Sequence, residues 1–184
     1  MFKLSISLIL LTMVYYPIKS FAAAVQLPAT GQTSCYNATG ALISCTDAAA
    51  KGQDGQKQPG VAYPQPRFID NNNGTITDNL TGLAWKPCNS QMQNVSDAMA
   101  VASSLNICAG NGSDAGQWRV PNRLELVSLV NFNNADNLVW LKSQGLNLGI
   151  NQSYCTSTSG FTVNLAKGYI SRAYYYCYLL AVRD

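Results

Sequence analysis

Hydrophobic positions in this chain come in short runs whose period changes several times. An apolar stretch from Leu4 to Tyr16 stands alone at the start. Between residues 26 and 45, brief apolar pieces alternate with glycine-centred turns. Asn37-Ala38-Thr39-Gly40 predicts the tip of a small hairpin. "AAAKGQDGQKQPG" has no apolar period and reads as a linker. Pro64 and Pro66 hold the next residues extended. The period then becomes two. Phe68-Ile69 and Thr75-Ile76-Thr77 predict paired strands around an Asn72-Asn73-Gly74 turn. Leu83-Ala84-Trp85 predicts a third strand with Trp85 in the core.

Helical spacing follows. Ala98, Met99, Val101, Ala102 and Leu105 predict a helix capped by Ser96 and running to Asn106. Leu124, Leu126, Val127, Leu129 and Val130 predict a second, opened by an Asn122/Glu125 capping box. The last third returns to strands, at Phe161–Leu165 and Tyr174–Val182, with a turn at Ala166-Lys167-Gly168. Strands, two helices, then strands define an α+β domain.

The first residues set a compartment. A basic start, a short apolar run and the small residues of Ser20-Phe21-Ala22 read as a secretory signal peptide over 1–22, cut after Ala22, with Ala24 a second option. The run is too short for a membrane span. The expected organisation is thus a signal at 1–22, an extended leader with a disulfide hairpin at 23–66, and a domain at 67–184. Loss of Lys3 and Lys19 with the signal leaves ten basic against nine acidic residues, a net charge of +1. Bulk electrostatic attraction to nucleic acid or an anionic membrane is therefore not expected.

The mature part holds six cysteines: Cys35, Cys45, Cys88, Cys108, Cys155 and Cys177. An even count in an exported chain reads as disulfides. Six allow about 15 connectivities, among which sequence does not choose. Pairing of sequence neighbours is the expectation: Cys35–Cys45, Cys88–Cys108 and Cys155–Cys177. The chain contains no histidine and no C-x-x-C pair, which argues against imidazole metal sites and Ser-His or Cys-His nucleophiles. Neither metal nor cofactor is expected. Asp70 and Asp78 are the only close carboxylate pair, and the stretch does not keep the register of an EF-type calcium loop. Six N-x-S/T sequons, at Asn37, Asn73, Asn79, Asn94, Asn111 and Asn151, fall mostly in turns where those residues serve geometry.

Two stretches are candidate binding surfaces. The loop "NQSYCTSTSG" offers Asn151, Gln152, Ser153, Thr156 and Ser157 as hydrogen-bonding groups. In "SRAYYYCYLL", Tyr174, Tyr176 and Tyr178 share one strand face, with Arg172 just before them. Tyr gives large contact area at low entropy cost. A strand buried on both faces is the competing reading, because Leu180 and Val182 continue the same face.

"RFIDNNNGTITDNLTGLAW", "GQWRVPNRLELVSLVNF" and "SYCTSTS…YLLAVRD" together resemble the Lcl C-terminal domain family. The leader resembles segments found ahead of such domains. The resemblance implies a C-type-lectin-like domain with two helices and a twisted antiparallel sheet. It implies export and recognition of a glycan or surface protein, as in an adhesin. The family's named member binds sulfated polysaccharides as a trimer on a collagen-like stalk. This chain has no Gly-x-y repeat, so stalk and trimer do not carry over. Cys155 stands where the family usually has Trp, with Cys177 as an available partner. A non-catalytic binding module is expected. The alternatives are a structural subunit of a pilus-like or envelope assembly, and an enzyme like the formylglycine-generating group, which would need two free, reactive thiols.

Overall fold

The computed structural model describes residues 27–104, 117–149, 153–172 and 176–184. The expected signal peptide and Cys108 lie outside them. The leader forms β1 (Cys35–Tyr36) and β2 (Leu42–Ile43), paired antiparallel and bridged by the Cys35–Cys45 disulfide at a Cα–Cα distance of 5.2 Å. Asn37 builds the hairpin tip, its Oδ1 accepting from the Thr39 and Ala41 N–H groups. Gly40, at φ +79°, takes the left-handed step. The linker-like stretch is not a linker. Asp47 caps a 3-10 turn at Ala48–Ala50, and a single helical turn, α1 (Asp54–Lys57), follows.

The main sheet has seven strands: β3 (Phe68–Asp70), β4 (Ile76–Asp78), β5 (Ala84–Met92), β6 (Ser153–Cys155), β7 (Phe161–Asn164), β8 (Tyr169–Arg172) and β9 (Cys177–Arg183). Their spatial order is β3-β4-β5-β9-β6-β7-β8. The sheet is mixed, not wholly antiparallel, since β6 meets β9 in parallel at Tyr154 and Tyr178. The chain enters β6 and β9 from the same end, and the hairpin β7–β8 lies between them in sequence. β5 extends well past the expected Trp85 because it pairs with β9 as far as Met92. Pro87 cannot continue the ladder, and the register shifts between Pro87 and Gln91. Asn89 sits in that bulge at φ +49°.

Four helices stand among the described residues, not two: α1, α2 (Val95–Ser104), α3 (Arg123–Ser128) and α4 (Asn137–Ser143). Ser96 is not the cap of α2. Asn94 is, its Oδ1 accepting from Asp97 N–H at 3.0 Å while its Nδ2 donates to the Asp97 carboxylate. The α3 capping box forms as expected, with Asn122 accepting from Leu124 and Glu125 and Glu125 accepting from Asn122 N–H. α4 is capped by Asp136 and ends at Gly145, φ +92°.

β9 is buried on both faces. Leu180 and Val182 join Trp85, Leu126, Leu129, Leu141, Tyr154 and Val163 on the α3–α4 side. Leu179 and Ala181 join Met92, Ala98, Ala102 and Trp118 on the α2 side. The Cys155–Cys177 disulfide, Cα–Cα 5.0 Å, lies in that second cluster and ties β6 to β9. Cys88 is also disulfide-bonded, and the expected Cys88–Cys108 pairing falls outside the described residues. Changing Cys155 and Cys177 together to serine is expected to cost about 2–4 kcal/mol, mostly by freeing the unfolded chain. A denaturant midpoint unchanged from wild type would refute that.

The leader is docked on the domain. Phe132 N–H donates to Thr30 C=O at 2.9 Å, Thr33 and Ser34 N–H donate to Asn133 Oδ1, and the Tyr63 hydroxyl donates to Val130 C=O. Burial, partly offset by Arg67, pushes the Tyr63 phenol above its ordinary pKa. Among the described residues no helix is long and apolar enough to cross a membrane.

Candidate functional site

The β3–β4 hairpin, built from the Arg67–Asp78 stretch, is a wall between two polar hollows. Alternation along the strands sends Asn71 and Thr77 to one side and Asp70, Asn72 and Ile76 to the other. The tip is held by short polar contacts. Asp70 Oδ1 accepts from Asn72 N–H, and Asn73 Oδ1 accepts from the Thr75 N–H and hydroxyl. Asn71 Nδ2 donates to the Thr75 and Thr77 hydroxyls. Asn72 adopts φ +57°, which Asn tolerates better than most side chains.

The larger hollow is an open cleft of about 700 Å³. Asn71, Thr77, Gly82 and Ala84 form its hairpin side, Gln117 and Arg119 its floor, and Arg183 and Asp184 its far side. Gly82 and Ala84 leave room where larger side chains would fill it, since a Cβ at Gly82 would touch nothing within 4 Å. Backbone pairing fixes the floor, because Arg119 exchanges both hydrogen bonds with Val182. Its guanidinium forks onto Glu125 at 2.8 and 2.9 Å and reaches Asp184 at 2.9 Å. Hydrogen bonding to Glu125 is the main cause that holds Arg119 above its ordinary pKa. Burial opposes it, and Asp184 adds to it. Arg183 lies over the Trp118 ring, 4.9 Å from its centroid, and donates to Gln117 Oε1 at 2.9 Å. Lys86, two residues past Ala84 on the same face of β5, is buried; that burial, and then the charge of Arg183, lower its pKa. The cleft thus combines amide, hydroxyl, guanidinium and carboxylate groups with one stacked cation. Such a set suits a ligand with many hydroxyl or amide groups.

The smaller hollow, about 370 Å³, lies between Asp70, Asn72 and Gly74 on the hairpin and Pro87, Asn89, Gly145 and Asn147 across from it. The Asn89 side chain is committed there, donating to Asn147 C=O and accepting from Gly149 N–H. A third, of about 300 Å³, lies within the leader beside Thr30, Gly31 and Tyr63. Thr30 there hydrogen-bonds the Asp54 carboxylate.

The residues singled out from sequence are spread over several environments. Asn151, Gln152 and Tyr174 lie outside the described residues. Ser153 is half-buried in β6, opposite Asn164. Thr156 is fully buried, its hydroxyl donating to Thr158 and Phe161 carbonyls. Ser157 is exposed, with its N–H on Pro121 C=O. Arg172 ends β8 and is exposed; Tyr176 is 58% exposed. Tyr178 is half-buried against the α3–α4 core. Asp70 and Asp78 do not face one another, because the Asp78 carboxylate is buried on Arg67. Among the described residues no group of three Asp, Glu, Cys or His could hold a metal ion. Of the described sequons, Asn37 and Asn73 build turns, Asn94 caps α2, and Asn79 Nδ2 donates to Pro66 C=O.

The cleft residues Asn71, Thr77, Gln117, Arg119, Arg183 and Asp184 went unmarked in the sequence as binding groups. The signal that could have found them is that all three blocks carrying the family resemblance converge on this one cleft. The family model described as the Lcl C-terminal domain matches residues 74–183, more than half of the chain, and the chain belongs to that family. The match starts inside the β3–β4 hairpin, so the leader lies outside it. No curated protein and no solved structure matched the chain.

Proposed function

We propose that this chain is an exported, non-catalytic binding module, adhesin-like, that recognises a glycan or protein at the cell surface. The observation that carries this reading is the open, polar cleft between the β3–β4 hairpin and the end of β9. Its charged groups are largely spent on one another: Arg119 on Glu125 and Asp184, Arg183 on Trp118 and Gln117. A fixed array of donors and acceptors results, which costs little entropy to present to a ligand. Export through the signal peptide is part of the proposal, and disulfides at Cys35–Cys45 and Cys155–Cys177 support an oxidising compartment. A C-type-lectin-like ancestry is also part of it, supported by the family membership and by a central last strand covered by helices on both faces. An enzyme of the formylglycine-generating kind would need free thiols, and none is found among the described cysteines.

The test is to present the mature protein to a glycan array and to immobilised envelope proteins. Saturable binding to at least one class is expected. Binding to neither would overturn the reading.

A further inference from the structure

We propose that the chain pairs with a second copy of itself through β8, antiparallel, about a twofold axis at Ile170. β8 is the outer strand of the seven-stranded sheet, and its register with β7 is unbroken from Tyr169 to Arg172. An edge strand is a template for another strand, and folded chains ordinarily blunt it with proline, bulges or charge. The opposite edge is blunted: β3 has three residues, Pro66 lies just before it and Asp70 ends it. β8 has no proline, acid or lysine, and it exposes Tyr169 (52%) and Ile170 (42%).

A second copy fits this edge in one register better than in its neighbours. A twofold axis normal to the sheet pairs only residues on the same face, so the axis falls on Ile170 or on Ser171. Centred on Ile170, the two isoleucines meet on the α3–α4 face, and Tyr169 meets the partner's Ser171 on the other. Arg172 then lies opposite the partner's Gly168. A Cβ at Gly168 would come 2.9 Å from the Phe132 ring, so glycine there leaves that ring, 47% exposed, beside the incoming guanidinium. The two arginines sit at opposite ends of the overlap, each with an aromatic face to stack on. Centred on Ser171, each Arg172 would face an isoleucine instead. A second copy therefore supplies both the apolar cover for Ile170 and the cation for Phe132, and the two sheets continue as one.

The test is sedimentation equilibrium of the mature chain over a concentration series, with two variants. Wild type is expected to rise towards twice the monomer mass. Ile170→Lys places like charges across the axis and is expected to weaken association by about tenfold or more, with an unchanged far-ultraviolet spectrum. Ile170→Cys is expected to cross-link to its own copy under oxidation, and Tyr169→Cys to do so poorly, because Tyr169 faces Ser171. A wild type that stays monomeric throughout, a dimer that survives Ile170→Lys, or preferential cross-linking of Tyr169→Cys would each overturn the proposal.

Discussion

Asp78→Ala is expected to lower folding stability by about 3–5 kcal/mol, the range for removing one partner of a buried ion pair. Arg67 is 2% exposed and Asp78 0%. Arg67 Nε and Nη2 each lie 3.1 Å from a carboxylate oxygen, and Nη2 also donates to Ser128 C=O at 2.6 Å. The guanidinium stacks over Tyr63, Phe68 and Trp140 at 4.3, 4.8 and 5.7 Å from their centroids. Asp78 in addition accepts from Leu80 N–H and the Thr81 hydroxyl, which close the turn into β5. Alanine would leave a buried cation with one carbonyl for company and the turn unsupported. The pair is costly to break, but it need not be a large net contributor. Arg67→Met with Asp78→Leu is expected to cost less than Asp78→Ala alone, because no buried charge is left. Urea unfolding of the two variants decides this; a cost for Asp78→Ala below about 1 kcal/mol would contradict the account.

Asn137→Leu is the second large expected loss, about 3–4 kcal/mol, although leucine fits a core better by composition. Asn137 is 1% exposed at the start of α4. Its Oδ1 accepts from Asn131 N–H at 2.8 Å, and its Nδ2 donates to Leu129 and Leu165 carbonyls at 3.2 and 2.9 Å. One amide thus joins the end of α3, the loop after it and the end of β7. Leucine would strand three buried backbone groups, each costing roughly 1–3 kcal/mol before relaxation. Asn79→Ala removes a single bond to Pro66 C=O at an exposed site and should cost about 1 kcal/mol or less. Equal denaturation midpoints for the two variants would refute the role given to Asn137.

What the sequence disclosed follows from how local each signal is. The hairpin at Asn37–Gly40, the Asn122/Glu125 box, the Ala166–Gly168 turn and the buried Trp85 were legible because residues within a few positions fix them. α4 was not. Its Leu138-Val139-Trp140-Leu141 run has no clear period, since Val139 is 68% exposed while Leu138 and Leu141 face the core. Only Asp136 and Gly145 marked its ends. β6 was hidden in a polar loop because Ser153-Tyr154-Cys155 is a strand through its neighbours, between β9 and β7, and not through its own propensity. The same holds for the cleft. Thr77, Gln117 and Arg183 are far apart in sequence and meet only through the strand order β4-β5-β9 and the Arg119–Val182 bridge. The C-terminal tyrosines gave the opposite lesson, because alternation places Tyr178 correctly beside Leu180 and Val182, and that same face is core.

The central claim is that ligand enters between the hairpin and the end of β9, and a paired substitution on the glycan and envelope-protein arrays tests it most directly. Thr77 is half-exposed on β4, where an aromatic side chain is well tolerated, so Thr77→Trp fills the cleft without disturbing the sheet. Tyr176→Ala removes an exposed ring just before β9 and away from the cleft lining. The account predicts that Thr77→Trp weakens whatever binding the wild type shows by about tenfold or more, while Tyr176→Ala leaves it within about twofold. Full binding by a folded Thr77→Trp, with loss in Tyr176→Ala, would contradict it and move the site to the C-terminal tyrosines.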